Sequence, residues 1–135
     1  MLPAEGGTPR QVTQGKVNHR GTPRWLDDAT LLVSANYAEN AALDPMESEL
    51  YRVDLATGTA TALTARKGPD MQPALSPDGK RVAYIGFDDQ RRGYTQTGLY
   101  VLELGSGESR RLAADFDHAI DSPSWDGRGR IVFSY

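Results

Sequence analysis

One stretch decides the fold: Leu75-Ser76-Pro77-Asp78-Gly79-Lys80-Arg81-Val82-Ala83-Tyr84-Ile85-Gly86. Pro77-Asp78-Gly79 predicts a tight turn, because proline presets φ, aspartate can bond its own backbone and glycine accepts a positive φ. The apolar run Val82-Ala83-Tyr84-Ile85 that follows is typical of a strand covered on both faces. The stretch therefore predicts a strand end, a hairpin turn and a second strand that runs back.

Two related copies of this stretch indicate a repeat protein. They are Trp25-Leu26-Asp27-Asp28-Ala29-Thr30-Leu31-Leu32-Val33-Ser34 and Trp125-Asp126-Gly127-Arg128-Gly129-Arg130-Ile131-Val132-Phe133-Ser134. Pro23, Pro73 and Pro123 set the period, since they are spaced 50 residues apart and each lies two positions before a large apolar residue.

Each unit of the repeat is predicted to hold four short strands, named A to D in chain order. Leu50–Gly58 matches Leu99–Gly107 and marks strand C of two units, with strand D after each final glycine. A four-stranded antiparallel meander that repeats every roughly 40 to 50 residues is the signature of a β-propeller blade. The predicted strands are 22–25, 30–35, 49–55 and 59–64, then 72–75, 80–86, 98–104 and 108–113.

The blade boundaries follow from this alignment. Residues 1–15 are predicted to end a preceding blade with its strands C and D, 16–65 and 66–115 to form complete blades, and 116–135 to start a third with strands A and B. The chain is thus expected to be a segment of a larger propeller. Because blades cover their apolar faces with one another, we expect the isolated segment to be unstable or to associate through its open faces.

Composition excludes several kinds of partner. The formal net charge of −3 argues against binding to a phosphate backbone, so no nucleic-acid partner is predicted. No apolar run approaches the roughly 20 residues that span a bilayer, so no membrane partner is predicted. With no cysteine the chain offers no disulfide or thiolate metal site, and both the cytoplasm and the periplasm stay open.

The connections between strands B and C are long, whereas the A–B and C–D turns are tight. Loops carried on a rigid frame commonly hold function, so the long connections are the better candidates. The second one holds the candidate docking or gating residues Asp88, Asp89, Arg91, Arg92 and Tyr94. Its arginines could pair with carboxylates. The alternative is a solvated loop whose internal ion pairs are weak.

No catalytic, cofactor-binding or metal residue is predicted. Four residues of metal-ligand type lie at the end of the second complete blade or just after it: Asp115, Asp117, His118 and Asp121. Aspartates that cap turns explain this connection better than a metal site does. A serine-hydrolase nucleophile would need a strained Gly-x-Ser-x-Gly turn, and Ser106, between two glycines, lacks that spacing. No phosphate-cradling loop or redox-cofactor motif occurs, so no cofactor is predicted.

Leu75–Tyr84 resembles the short propeller repeat shared by TolB-like proteins and the prolyl oligopeptidase family. Tyr84–Val101 resembles a blade segment of bacterial acylaminoacyl-peptidase-like members, and Met1–Thr13 resembles a blade ending common in that family. The resemblance implies a propeller that precedes a C-terminal α/β-hydrolase domain. In that family the propeller admits short peptides and excludes folded proteins, while the hydrolase domain carries the Ser-Asp-His triad.

Two functions remain open. The first is the non-catalytic propeller portion of a serine peptidase, whose partners would be further blades, an α/β-hydrolase domain of the same protein and a peptide substrate. The segments that hold the Ser-Asp-His triad in that family have no counterpart in this sequence, so the resemblance implies no catalytic residue here. The second is a TolB-like propeller that acts as a protein-binding module without enzymatic activity.

Overall fold

The computed structural model describes residues 1–2 and 4–135 and is all-β. Pro3, which falls in the predicted blade end 1–15, lies outside the described residues. Within the described part of the chain, no helix is long and apolar enough to cross a membrane. The strands are β1 (Asn18–Trp25), β2 (Thr30–Asn36), β3 (Glu49–Asp54), β4 (Ala60–Ala62), β5 (Asp70–Leu75), β6 (Arg81–Gly86), β7 (Gly98–Glu103), β8 (Ser109–Leu112), β9 (Asp121–Trp125) and β10 (Ile131–Ser134).

The strands form two four-stranded antiparallel sheets and one two-stranded sheet. The first sheet has the order β1-β2-β3-β4, the second β5-β6-β7-β8, and the third pairs β9 with β10. This is the predicted meander of strands A to D. Strand β4 is shorter than predicted, because the backbone N–H of Leu50 donates to the hydroxyl of Thr64, at 2.9 Å, where a longer β4 would supply a backbone carbonyl.

The turn between β5 and β6 is closed by the side chains that its sequence predicts. The Ser76 hydroxyl donates to Asp78 Oδ1 at 2.5 Å and accepts from the backbone N–H of Arg81 at 2.9 Å. Gly79 has a φ of +69°. The hydrogen bond from Ser76, followed by that from the Lys80 backbone, lowers the pKa of Asp78. Ser76 therefore serves the geometry of the turn.

The three prolines of the repeat lie at bulges in the first strand of each sheet. Gln72 precedes Pro73 and Ser122 precedes Pro123, and each of these preceding residues has a φ of +51°. A proline has no N–H to donate to a neighbouring strand, so it is tolerated at a bulge where the ladder is already interrupted. The period of 50 residues therefore marks one structural position, repeated in each sheet.

The second sheet is covered on both faces, as its continuous apolar strand predicts. One cluster of buried side chains joins the first and second sheets: Leu32, Leu50, Val82, Tyr84, Tyr100 and Leu102. Another lies on the opposite face and joins the second sheet to the third: Ala83, Ile85, Leu99, Val101 and Ile120, with Trp125, Ile131 and Phe133 against it. Successive residues of β6 alternate between the two clusters, as a period of two requires.

The outward face of the first sheet is covered only in part. Val33, Ala35 and Val53 form its centre, and Val12 and Val17 from the chain start pack on them. Trp25 occupies the same place in the repeat as Trp125 but is 56% exposed. Trp125 instead reaches the neighbouring sheet.

The chain start folds back on itself beside this face. Met1 and Arg10 exchange two backbone hydrogen bonds of 2.8 Å each. By the repeat alignment they correspond to Arg52 and Thr61, which are paired between β3 and β4. No strand is assigned before Asn18 among the described residues, and the assignment of 1–15 to a preceding blade stays a prediction.

Candidate functional site

The connection between β6 and β7 carries all five predicted docking residues, and the structure brings three of them together. Asp88, Arg92 and Tyr94 line one cleft, whereas Asp89 and Arg91 lie outside its lining. The Asp89 carboxylate accepts the backbone N–H of Arg91 at 2.7 Å. These last two residues thus shape the loop rather than the cleft.

The base of this loop is attached to the connection between the first two sheets. Asp88 forms an ion pair with Arg66 at 3.1 Å, and the backbone N–H of Asp89 donates to the carbonyl of Lys67 at 3.0 Å. Arg66 lies between strands β4 and β5. The loop is therefore held both by its own strands and by the connection between the two four-stranded sheets.

Arg66 continues from this ion pair into a buried polar junction. One guanidinium nitrogen bonds the carboxylate of Asp70, which is 0% exposed. The carbonyl of Asp70 accepts the hydroxyl of Ser34 at 2.6 Å, and its N–H donates to the carbonyl of Ser48 at 2.7 Å. Ser34 and Ser48 come from the first sheet side of the junction and Asp70 from the second, so these bonds hold the two sheets together.

Two carboxyl groups share this junction. Burial raises the pKa of Glu49 to about 7, opposed by a hydrogen bond from Thr64 and assisted by the charge of Asp70. Burial also raises the pKa of Asp70, opposed chiefly by Arg66. Oδ2 of Asp70 is buried without a hydrogen-bond partner in the described part of the chain. The guanidinium of Arg66 neutralises only one of the two negative charges that Glu49 and Asp70 would carry. A proton on Glu49 would remove the other charge and would also supply the donor that Oδ2 of Asp70 lacks.

Two tyrosine rings pack between the buried junction and the cleft. The guanidinium of Arg66 lies 4.1 Å from the ring centroid of Tyr100 and also donates to its hydroxyl at 3.0 Å. Tyr84 stacks on Tyr100 with ring centroids 5.4 Å apart. Gly86 leaves room for the ion pair, since a Cβ there would lie 2.3 Å from the carbonyl oxygen of Pro69.

The structure shows the surroundings of two residues that were weighed as a metal ligand and a nucleophile, His118 and Ser106. The His118 ring lies 5.6 Å from Phe116 and 5.4 Å from Tyr135, measured between ring centroids. No group of three or more histidine, aspartate or glutamate side chains suited to a metal occurs in residues 1–2 and 4–135. The Ser106 hydroxyl accepts the N–H of Glu108 at 3.2 Å in its hairpin turn.

Sequence reasoning missed the buried junction and the two cleft residues that come from strands, Tyr100 and Arg111. Asp70 lies three residues before Pro73, and the next unit has Ile120 at the matching place. The preceding unit has Arg20 there, so the repeat does not predict a paired carboxylate at this position. Arg111 belongs to β8, and no signal near it in the sequence connects it to the loop.

No protein-family model matches the chain. A Tol-Pal system protein TolB from Francisella tularensis is 31% identical over 96 residues, which is 70% of this chain and 20% of that protein. A probable dipeptidyl-peptidase 5 from Arthroderma benhamiae is 28% identical over 68 residues, covering 50% of this chain and 9% of that protein. The chain spans about a fifth or less of the length of these curated relatives.

Solved structures give the same two kinds of neighbour. A TolB-type structure from Agrobacterium tumefaciens has a TM-score of 0.62 and 26% identity, covering 78% of this chain and 34% of that one. TolB from Acinetobacter baumannii has a TM-score of 0.68 at 20% identity, covering 95% and 29% of the two chains. A puromycin-hydrolyzing peptidase from Mycobacterium tuberculosis has a TM-score of 0.66 at 24% identity, covering 93% and 19%. Together with the stacked antiparallel sheets, they identify the chain as a β-propeller segment, with a fold similar to that of TolB and of peptidase propellers.

Proposed function

We propose that this chain is the non-catalytic propeller portion of a serine peptidase of the prolyl oligopeptidase family, acylaminoacyl-peptidase-like, which gates the access of short peptides to a separate α/β-hydrolase domain. The observation that carries the proposal is the anchored loop between β6 and β7. Its base is held by the Asp88–Arg66 ion pair and the Asp89–Lys67 backbone bond, so it can present a defined cleft to a peptide. The likeness to the mycobacterial peptidase supports the same fold context.

The blade division is part of this proposal: 1–15 ends a preceding blade, 16–65 and 66–115 are complete, and 116–135 starts a third. Three observations support it. Met1 and Arg10 pair as strands C and D of a blade do, Val12 packs on the first sheet, and Trp25 is left 56% exposed at the open face. The partners of the chain are then further blades and the hydrolase domain of one protein.

A second candidate function is a TolB-like propeller that binds proteins and has no enzymatic activity. It is favoured by the 31% identity to the Francisella tularensis protein. Under this alternative the same loop would dock a protein surface, and no hydrolase domain would follow the propeller.

One experiment separates the two candidates. The full-length product of the gene is tested for cleavage of short acylated and free-amino-terminal chromogenic peptides, and for labelling by a serine-directed phosphonate. We expect cleavage that the phosphonate blocks, with neither behaviour in the 135-residue chain alone. A full-length protein without cleavage or labelling would overturn the peptidase function, and a reading frame that ends soon after the last blade would favour the binding protein.

A further inference from the structure

The loop between β6 and β7 and the edge strand β8 enclose a cleft of about 330 Å³. Such a volume is at the small end of ligand sites. The lining residues come from the loop, from β7 and from β8: Phe87, Asp88, Gln90, Arg92, Tyr94, Thr95, Gln96, Tyr100 and Arg111. The cleft therefore joins residues that are close in sequence with one, Arg111, that comes from the next strand but one.

The cleft has an excess of positive charge. Arg92 and Arg111 are both exposed, and neither takes part in an ion pair within the part of the chain that the structure describes. Asp88 is the one carboxylate in the lining, and it is already paired with Arg66. Two guanidinium groups are thus available to an anion from outside, and planar guanidinium groups match the geometry of a carboxylate.

The side chain of Arg111 lies over Gly98, a neighbour of its ladder partner Tyr100 on β7. A Cβ at Gly98 would lie 2.8 Å from the Nε of Arg111, so the glycine leaves the space in which the guanidinium lies across the start of β7. Arg110, the preceding residue of β8, lines a depression near Trp125 instead. The alternation of side chains along β8 therefore gives Arg111 to the cleft and Arg110 to the opposite face.

The remaining lining suits a peptide. Phe87 and the 77% exposed Tyr94 offer aromatic surface, and the side-chain amides of Gln90 and Gln96 can both donate and accept hydrogen bonds. An aromatic wall beside cationic groups fits an apolar residue next to a carboxylate. A phosphate would use the arginines but leave the aromatic surface without a partner.

We propose that this cleft binds the carboxylate of a peptide, with Arg92 and Arg111 as its ion-pair partners and the adjacent apolar side chain against Phe87 and Tyr94. The inference rests on the proposed function only for the peptide nature of the ligand. The carboxylate belongs either to the C-terminus or to an acidic side chain, and the two sources are separated by the probes below.

The test is binding of unlabelled, N-acetylated tripeptides to the full-length protein, followed by isothermal titration calorimetry after any reactive serine has been blocked with phosphonate. The probes are Ala-Ala-Phe as the free acid, Ala-Ala-Phe amide and Ala-Glu-Phe amide. We expect a peptide with a carboxylate to bind about tenfold more tightly than Ala-Ala-Phe amide, with an affinity that falls as salt is added. The free acid binding best identifies a C-terminal carboxylate, and the glutamate peptide binding best identifies an acidic side chain.

The double variant R92Q/R111Q should lose this preference, whereas R91Q/R110Q should keep it. Both doubles remove the same charge from adjacent positions, but only the first removes it from the cleft. Equal melting temperatures for the two doubles establish that folding is not the cause. The proposal is overturned by equal affinity for acid and amide, by equal losses in both doubles, or by no binding at about 1 mM peptide. Because binding is read without catalysis, a protein that binds carboxylates but cleaves nothing would refute the proposed peptidase function alone.

Discussion

Replacing Glu49 with glutamine should remove a pH dependence from the stability of the chain. Glu49 lies at the junction of the two four-stranded sheets, where its pKa is raised from 4.5 to about 7 by burial and, more weakly, by the charge of Asp70. Between these two pH values the folded state binds more protons than the unfolded state. The free energy of unfolding therefore decreases as the pH rises through this window, and it is level above the upper value.

The size of the effect follows from the same shift. At about 1.4 kcal/mol for each pH unit of the shift, the free energy of unfolding would change by at most about 3 kcal/mol. Partial exposure of Glu49 to solvent reduces this, so we expect about 1–2 kcal/mol. The groups that face Glu49 are Asp70 of the second sheet, Arg66 of the connection, the Thr64 hydroxyl, and Tyr51 on its own strand. Glutamine keeps the capacity to donate to Asp70 without needing a proton.

Urea unfolding of the wild type, E49Q and the control E108Q between about pH 5 and pH 8 measures this difference. The wild type and E108Q should lose stability as the pH rises through this range relative to E49Q, because Glu108 is exposed and lies before β8, away from the junction. The carbon chemical shift of the Glu49 carboxyl gives its titration midpoint directly. A midpoint below about pH 5, or parallel stability profiles for E49Q and E108Q, would refute the argument.

Two further substitutions test the packing between sheets, each with a matched partner. Gly86→Ala should destabilise the chain by about 1–3 kcal/mol, because a methyl group there meets the carbonyl of Pro69. Gly93→Ala, in open space, should change the urea midpoint little. Equal shifts of the midpoint in the two variants would contradict the close approach of Gly86 to the Pro69 carbonyl. Trp125→Phe should cost about 1 kcal/mol, since its Nε1 donates to a backbone carbonyl of the neighbouring sheet at 2.8 Å. Trp25→Phe should cost less in thermal unfolding, and a larger loss for Trp25 would contradict the assignment of the open face.

The blade architecture was predictable because it depends on short-range patterns. The turn at Pro77-Asp78-Gly79, the period of the prolines and the apolar run Val82–Ile85 each follow from local conformational preferences and alternation. The structure confirms the strand order and the burial of that run on both faces. The bulge at Pro73 also has a local cause, although its geometry needed the partner strand to be seen.

The candidate site was predictable only in part, because its residues meet across sheets. The loop with Asp88 and Arg92 stood out by its length and charge. Asp70 takes a place that is apolar in the next unit, and its partner Arg66 is attached to the loop through space. Arg111 pairs with Tyr100 between β7 and β8, and its guanidinium lies in the space that Gly98 leaves. Such contacts depend on tertiary packing, which neither periodicity nor composition encodes.

The most direct test of the propeller structure is the environment of Trp25 in a W125F background. Its contribution to fluorescence emission and acrylamide quenching is obtained by subtracting the signal of W25F/W125F, in the 135-residue chain and in the full-length protein alike. We expect emission at shorter wavelength and weaker quenching in the full-length protein, because a preceding blade would cover the face on which Trp25 is 56% exposed in the 135-residue chain. Equal emission and equal quenching in the two proteins would contradict it.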